Sequence, residues 1–115
     1  MTQPTIDRAT FDELKDTAGA DFVAELVDTF LVEAPVMLGD LRTALGAGNA
    51  DSFRRAAHSL KSNSNTFGAL TLGAMAKELE LTGLAPARAA NGATLDALAQ
   101  EYDRVATALK DLKNA

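Results

Sequence analysis

The chain has 115 residues, of which 47% are apolar and 23% charged, a balance typical of one globular domain and too apolar for a disordered segment. Eleven Lys and Arg against sixteen Asp and Glu give a formal charge of -5, which argues against nucleic acid as the main partner because a polyanion is bound by a basic surface. Since the chain contains no Cys, disulfides, thiolate metal sites and cysteine nucleophiles are excluded.

Helical periodicity begins near the N-terminus and predicts two helices in succession. The Thr-Phe-Asp-Glu spacing from Thr10 predicts a short first helix that ends at Gly19. A long second helix is predicted over about residues 21–45, before the Gly46-Ala47-Gly48 stop, and its apolar stripe comprises Val23, Leu26, Phe30, Ala34, Met37 or Leu38, Leu41 and Leu45. Pro35 removes one helical hydrogen bond, so we expect it to kink this helix without ending it, because the stripe continues in phase.

Three further helices are predicted in the second half of the chain. Asn49 is a good N-cap for the third, which ends at Gly68 and has a core face of Phe53, Ala57, Leu60, Ser64 and Phe67. The fourth is predicted over about residues 70–82, with apolar positions at Leu72, Met75, Ala76 and Leu79. Residues 83–92, which include Pro86 and Asn91, are predicted to form a loop. The last helix, over about residues 93–113, repeats Leu95, Leu98, Tyr102, Val105, Leu109 and Leu112.

These elements predict an all-α fold, because strand signals are nearly absent and four substantial helices follow one another through short connections. We expect residues 1–115 to form a single domain, an antiparallel up-down four-helix bundle with an additional short N-terminal helix across one end. The N-terminal segment MTQPTIDRAT has neither the basic nor the apolar region of a signal peptide, and no stretch is apolar enough to span a bilayer. A cytoplasmic domain with no membrane partner is therefore expected.

His58 is the only His of the chain and the residue with the clearest chemical potential. It lies outside the core face of the third helix, on a polar stripe with Arg54, Lys61, Ser62 and Asn65, so both the imidazole and the lysine are expected to be exposed. An exposed His is compatible with a purely surface role. Known phosphate-loop, dinucleotide and zinc-protease motifs are absent, and one His cannot build a His-rich metal site, so we expect no metal and no cofactor.

The charge around His58 differs in sign from that of the whole chain. Between residues 51 and 68, Arg54, Arg55 and Lys61 stand against Asp51, a local charge of +2 in a chain whose total is -5. A basic region around a single imidazole is suited to holding an added phosphoryl dianion. An exposed imidazole is largely uncharged at neutral pH, so one ring nitrogen has a lone pair for attack on phosphorus.

The segment from Ala57 to Ala69 resembles the signature of histidine-containing phosphotransfer (HPt) domains. That signature is approximately His-x-Leu-Lys-Gly, then small and polar residues, an apolar residue, Gly and Ala, and the matching residues are His58, Leu60, Lys61, Phe67, Gly68 and Ala69. A looser similarity includes the Ala-Pro in the second helix and the Lys-Glu-Leu-Glu after the motif. One departure is Ser62, which stands where the family usually has Gly. We expect this difference to narrow partner choice or slow transfer without abolishing it.

The resemblance implies a phosphorelay carrier in which His58 accepts a phosphoryl group on Nε2 from a receiver-domain aspartyl phosphate and passes it to another receiver-domain Asp. The implied partners are response-regulator receiver domains and a (hybrid) sensor histidine kinase. Because the chain has no evident acidic metal cluster or nucleotide loop, Mg²⁺ and the remaining catalytic groups are expected on the receiver, which makes this chain a carrier and not an enzyme. A monomer is expected.

Each residue of the motif region receives a predicted role. Lys61 is the best candidate for a direct phosphoryl contact and Arg54 a weaker one, while Ser62 and Asn65 are assigned to the partner-facing surface, Ser59 and Asn65 also being able to orient the ring. Leu60, Phe67 and Gly68 are assigned to core packing, core packing and the turn into the next helix. Two alternatives stay open: a bundle that only binds proteins and is never phosphorylated, and a helical-bundle enzyme, which the lack of a second general base disfavours.

Overall fold

The computed structural model describes residues 5–90 and 92–113, and the part of the chain that it describes is helical, without strands. Its helices are α1 Arg8–Ala18, α2 Ala20–Ala47, α3 Ala50–Thr66, α4 Leu70–Thr82, α5 Leu84–Ala89 and α6 Ala93–Lys113. The expectation of no signal peptide rests in part on residues 1–4, and the expectation of a loop rests in part on Asn91. These residues lie outside the described ranges. The predicted all-α class is confirmed.

The four long helices form the predicted antiparallel bundle. α3 lies between α2 and α4, and α6 closes the ring by packing against α2 and α4, while α1 contacts α2 and α3. All of the fully buried large side chains belong to α1, α2, α3, α4 and α6; they include Phe11, Val27, Leu41, Phe53, Leu60, Leu72, Leu98, Val105 and Leu109. None of the helices in the described ranges is both long enough and apolar enough to cross a membrane.

The N-cap of α1 lies three residues, nearly one helical turn, before the predicted position. Asp7, not Thr10, is the N-cap: its carboxylate accepts a hydrogen bond from the Thr10 backbone N–H at 3.1 Å, and the helix begins at Arg8. A carboxylate at the cap also complements the positive end of the helix dipole, an advantage that the Thr hydroxyl does not have. The backbone N–H of Asp7 donates to the Gly68 carbonyl at 2.8 Å, which ties the start of α1 to the turn between α3 and α4. As predicted, α1 ends at Gly19.

α2 continues without interruption through Pro35 and ends two residues later than predicted, at Ala47. Gly46 therefore lies inside the helix, and Gly48, in the left-handed conformation with φ 70°, provides the stop. The buried residues follow the predicted stripe, with Val27 and Ala44 in addition and with Leu26, Met37, Leu38 and Leu45 only partly buried. The kink expected at Pro35 stays a prediction.

The expected loop over residues 83–92 contains a short helix, α5, so that prediction was wrong. Pro86 is the third residue of this helix, where a backbone N–H has no helical acceptor and a Pro is tolerated. Ala87 anchors α5 to the core at 2% exposure. The flanking glycines Gly83 and Gly92, both with positive φ, made the whole segment resemble a loop in the sequence.

Candidate functional site

α3 presents His58 to solvent because its opposite face is fixed in the core. Asn49 caps the helix as predicted, its side chain accepting a hydrogen bond from the Ser52 backbone N–H at 3.1 Å. All of the predicted core positions are buried, namely Phe53, Ala57, Leu60, Ser64 and Phe67. Gly68, with φ 83°, forms the turn into α4, and a Cβ there would come within 2.7 Å of the Asp7 carbonyl oxygen. The helix is therefore held at both ends, and the rotational position of His58 is determined.

The imidazole of His58 is 58% exposed, and one of its nitrogens is bound by a carboxylate from the neighbouring helix. Nδ1 lies 2.6 Å from Oε2 of Glu80, a residue of α4 whose side chain is only 17% exposed. Because a carboxylate accepts hydrogen bonds, this contact requires a proton on Nδ1. In the uncharged ring the other nitrogen, Nε2, then carries the lone pair.

Lys61 shares the same carboxylate. Its Nζ donates to Oε1 of Glu80 at 2.7 Å, so the two oxygens of Glu80 bridge the lysine and the imidazole. The hydrogen bond from Lys61 lowers the pKa of Glu80, and the bond from His58 and the charges of both residues act in the same direction against the opposing effect of desolvation. The Lys61 side chain is 24% exposed, so the expectation of a freely exposed lysine was wrong: the residue is held between α3 and α4.

A second carboxylate, that of Asp51, lies about two turns before His58 on α3. Asp51 accepts a hydrogen bond from Arg54 Nη2 on Oδ1 at 2.8 Å and pairs with Arg55 Nη2 through Oδ2 at 2.7 Å. An open recess of about 450 Å³ lies beside the imidazole, and it is lined by Arg54, Arg55, His58, Ser59 and Glu80. Arg54 is thus brought to the site with Arg55, a residue that the sequence analysis counted only as a charge.

Ser62 and Asn65 lie on the same helix, in different surroundings. Ser62 is exposed one turn after His58, and its carbonyl oxygen accepts a hydrogen bond from the Thr66 hydroxyl at 3.0 Å. Asn65 lies about two turns after His58, and its Oδ1 would be 2.1 Å from a Cβ placed on Gly73 of α4. The absence of a side chain at Gly73 therefore allows Asn65 to approach the α4 backbone closely.

The geometry of α3 and α4 coincides with the region in which the chain matches a known family. The model of the Hpt domain family matches residues 25–108, a range that contains His58, Lys61 and Glu80. The chain belongs to the Hpt domain family. Membership places it among the phosphorelay carriers in general, proteins that hold a phosphoryl group on His and are not enzymes in their own right.

A solved structure extends the similarity of this HPt domain over nearly its whole length. Histidine-containing phosphotransfer protein B (HptB) from Pseudomonas aeruginosa superposes with a TM-score of 0.84 at 29% sequence identity, and the match covers 98% of this chain and 97% of that one. A comparison with curated protein sequences finds no match.

Two carboxylates of the site were missed by the sequence analysis, for different reasons. Glu80 is separated from His58 by 22 residues, and only the packing of α4 on α3 brings them together. The signal in the sequence was the Lys-Glu-Leu-Glu after the motif, to which Glu80 belongs, although nothing there indicated which carboxylate faces α3. Asp51 was counted as a charge, and its position one turn from Arg54 and Arg55 could have indicated the pairing.

The site of this HPt domain is therefore less basic than the local sequence suggested, because α4 contributes a carboxylate. Within residues 5–90 and 92–113, no three His, Cys, Asp or Glu side chains are grouped as metal ligands would be. What the arrangement offers chemically is an accessible imidazole with a defined tautomer, next to three positively charged side chains. An imidazole of this kind can act as a nucleophile, and the neighbouring cations can bind an anion.

Proposed function

We propose that this HPt domain accepts a phosphoryl group on His58 from the aspartyl phosphate of one receiver domain and passes it to an Asp of another in two-component signal transduction. The observation that supports this most is the contact of 2.6 Å between Nδ1 of His58 and Glu80. It leaves the lone pair on Nε2, the nitrogen that the resemblance to the family implies as the acceptor. The half-exposed ring is accessible to a second protein.

In the proposed reaction, the Nε2 lone pair attacks phosphorus in line with the oxygen of the aspartyl phosphate. The N–P bond forms while the P–O bond breaks, and the aspartate leaves as a carboxylate with the electron pair of that bond. The ring, protonated on Nδ1, becomes positively charged, and the Glu80 carboxylate stabilises this charge through the hydrogen bond that it already accepts. The reverse step, with a different receiver, delivers the phosphoryl group.

Lys61 is proposed to neutralise part of the phosphoryl charge. It lies three residues after His58 on neighbouring positions of the helix surface, and an ammonium group has three N–H donors. One of these is used on Glu80 at 2.7 Å, so others are available to phosphoryl oxygens. The same carboxylate thus orients both the nucleophile and the cation.

We propose that Mg²⁺ and the remaining catalytic groups belong to the receiver, and that a (hybrid) sensor histidine kinase stands upstream. In-line phosphoryl transfer requires positioning and charge neutralisation more than covalent chemistry by the protein. This chain contributes the nucleophile and three cations, and Ser62 leaves little bulk next to the ring. In this proposal the partner and the carrier build a complete site only when they are in contact.

The test is incubation with a phosphorylated receiver domain and Mg²⁺, followed by intact-mass analysis. We expect an acid-labile, alkali-stable phosphoryl adduct on the unaltered chain and none on His58→Gln, whose fold should be intact because the ring is exposed. Glu80→Ala should slow adduct formation roughly tenfold, since it removes the carboxylate that accepts one hydrogen bond from His58 and another from Lys61. The matched variant Glu78→Ala should transfer normally.

The outcomes separate the proposal from its alternative. The same adduct on His58→Gln would exclude His58 as the acceptor. A chain that binds receivers but takes up no phosphoryl group from any of them would support the alternative, a bundle that serves only as a protein-interaction module. Equal rates for Glu80→Ala and Glu78→Ala would contradict the role given to Glu80.

A further inference from the structure

We infer that Arg55 acts with Arg54 to bind the anionic phosphoryl donor beside His58, and that Asp51 is the positioning residue that holds both guanidinium groups in the recess. This inference rests on the proposed function, since it concerns the docking of the donor to the same site. The motif specifies neither Arg55, the added binding residue, nor Asp51, the positioning residue.

The first argument is the placement of the two arginines. Arg54 and Arg55 precede His58 by about one helical turn, and residues three and four apart are neighbours on a helix surface. Both line the recess of about 450 Å³ that also contains the imidazole. An anion that reaches His58 through this recess is therefore within reach of both side chains.

The second argument is the way in which Asp51 is shared. Its two oxygens bind different guanidinium groups, Oδ1 that of Arg54 at 2.8 Å and Oδ2 that of Arg55 at 2.7 Å. One carboxylate against two guanidinium groups leaves a positive charge uncompensated. Each arginine has five N–H donors and uses only Nη2 in this pairing, so most of its donors are available to an anion.

The third argument is the contrast with Lys61. That lysine is paired with Glu80, which is also bound to His58, whereas Arg54 and Arg55 are 59% and 75% exposed and share a single carboxylate. The excess positive charge of the site therefore lies on the arginine side of the imidazole. Guanidinium groups bind phosphate oxygens in a planar, two-point geometry that an ammonium group does not provide.

The experiment measures the rate of phosphoryl transfer from a phosphorylated receiver domain to Arg54→Gln, Arg55→Gln and Asp51→Asn at low and high salt. Arg8→Gln is the matched control, because Arg8 is also exposed and pairs with an Asp on its own helix, in α1. We expect each of the two arginine variants to transfer at least about threefold more slowly at low salt, the scale of a solvent-exposed charge pair, and its rate to depend less on salt. Arg55→Lys should recover only part of the rate.

Asp51→Asn distinguishes positioning from simple neutralisation. This change makes the site more positive, so a purely electrostatic role of Asp51 predicts faster transfer, whereas a positioning role predicts slower transfer. Faster transfer would overturn the role of Asp51, and rates for Arg55→Gln and Arg54→Gln equal to that of Arg8→Gln would overturn the role of the arginines. If the unaltered chain and Arg8→Gln take up no phosphoryl group, it is the proposed function that has failed.

Discussion

The carboxylate of Glu80 determines how His58 and Lys61 are presented at the surface of the bundle. It accepts from Nδ1 of the imidazole at 2.6 Å and from Nζ of the lysine at 2.7 Å, so it sets the tautomer of the first and the position of the second. Asp51 has the same relation to Arg54 and Arg55. Each of the three cations next to His58 is thus paired with an acidic residue.

The lowered pKa of Glu80 predicts how its contribution to stability depends on pH. A carboxyl group whose pKa is lower in the folded than in the unfolded chain stabilises the fold above its ordinary value of 4.5 and loses this effect as the pH falls through the folded pKa. The groups that face this carboxylate are Lys61 and His58, which both form hydrogen bonds with it. We expect Glu80→Gln to lower the urea midpoint near neutral pH, with a deficit that shrinks progressively below pH 4.5.

Glu78→Gln is the control for this measurement, since Glu78 is exposed on the same helix. Its midpoint should follow that of the unaltered chain at every pH. A deficit of Glu80→Gln that stays constant from neutral to strongly acidic pH would show that the paired carboxylate does not contribute to stability in the way described.

Among the helices, α6 supplies a hydrogen bond that α2 lacks within itself because of Pro35. Pro35 has no backbone N–H, so the Leu31 carbonyl four residues earlier lacks its helical donor. The hydroxyl of Tyr102, from α6, donates to this carbonyl at 3.4 Å. Burial raises the pKa of Tyr102, with a smaller effect of Asp103, so the phenol keeps the proton that this hydrogen bond requires.

This compensation predicts a coupling between Pro35 and Tyr102. Tyr102→Phe should lower the free energy of unfolding by about 0.5–1 kcal/mol, the lower part of the range for a hydrogen bond because this one is long. In a Pro35→Ala background the Leu31 carbonyl regains a helical donor, so the same change should cost close to nothing. Urea unfolding of the four variants in a double-mutant cycle measures the difference. Equal losses in both backgrounds would mean that Tyr102 stabilises the bundle only through its ring.

The molecule as a whole carries a formal charge of -5, yet the surface around His58 has three cations against the two carboxylates Asp51 and Glu80. The bundle concentrates positive charge on one part of α3, next to an exposed imidazole, and leaves most of the acidic residues elsewhere. Charge complementarity of this kind affects the rate of association and the choice of partner more than the final affinity.

Ser62 provides the test of how closely a partner approaches this surface. It is exposed one turn after His58, where the family usually has Gly. Ser62→Gly should leave transfer intact or accelerate it, and Ser62→Gln should slow it by steric obstruction, as measured with one receiver domain. Because Gly costs roughly 0.5–1 kcal/mol in a helix, the faster variant should also be the less stable one. Equal rates for Ser, Gly and Gln would show that the partner contacts another part of the helix.

The sequence by itself determined the features that depend on local periodicity and capping. The Asn49 cap, the buried face of α3 and the range of α4 were all predicted, because each is set by residues within a few turns of one another. The same periodicity placed His58 on the exposed side, and the motif around it indicated the family. Where local signals competed, the prediction failed. Asp7 and Thr10 both suit an N-cap, and the start of α1 was misplaced; Pro86 and its neighbouring glycines indicated a loop, and α5 was missed.

Only the tertiary structure decided which residues from distant parts of the chain meet. Glu80 faces His58 and Lys61 because α4 packs on α3. The side chain of Asn65 lies against the backbone at Gly73 because the two helices approach closely there. Tyr102 reaches the Leu31 carbonyl across 71 residues of sequence. Periodicity shows which face of a helix is buried, but it does not specify the rotation and axial offset of one helix against the next. Those depend on how all of the core side chains fit together, which is why His58 was found in the sequence and the carboxylate that contacts it only in the fold.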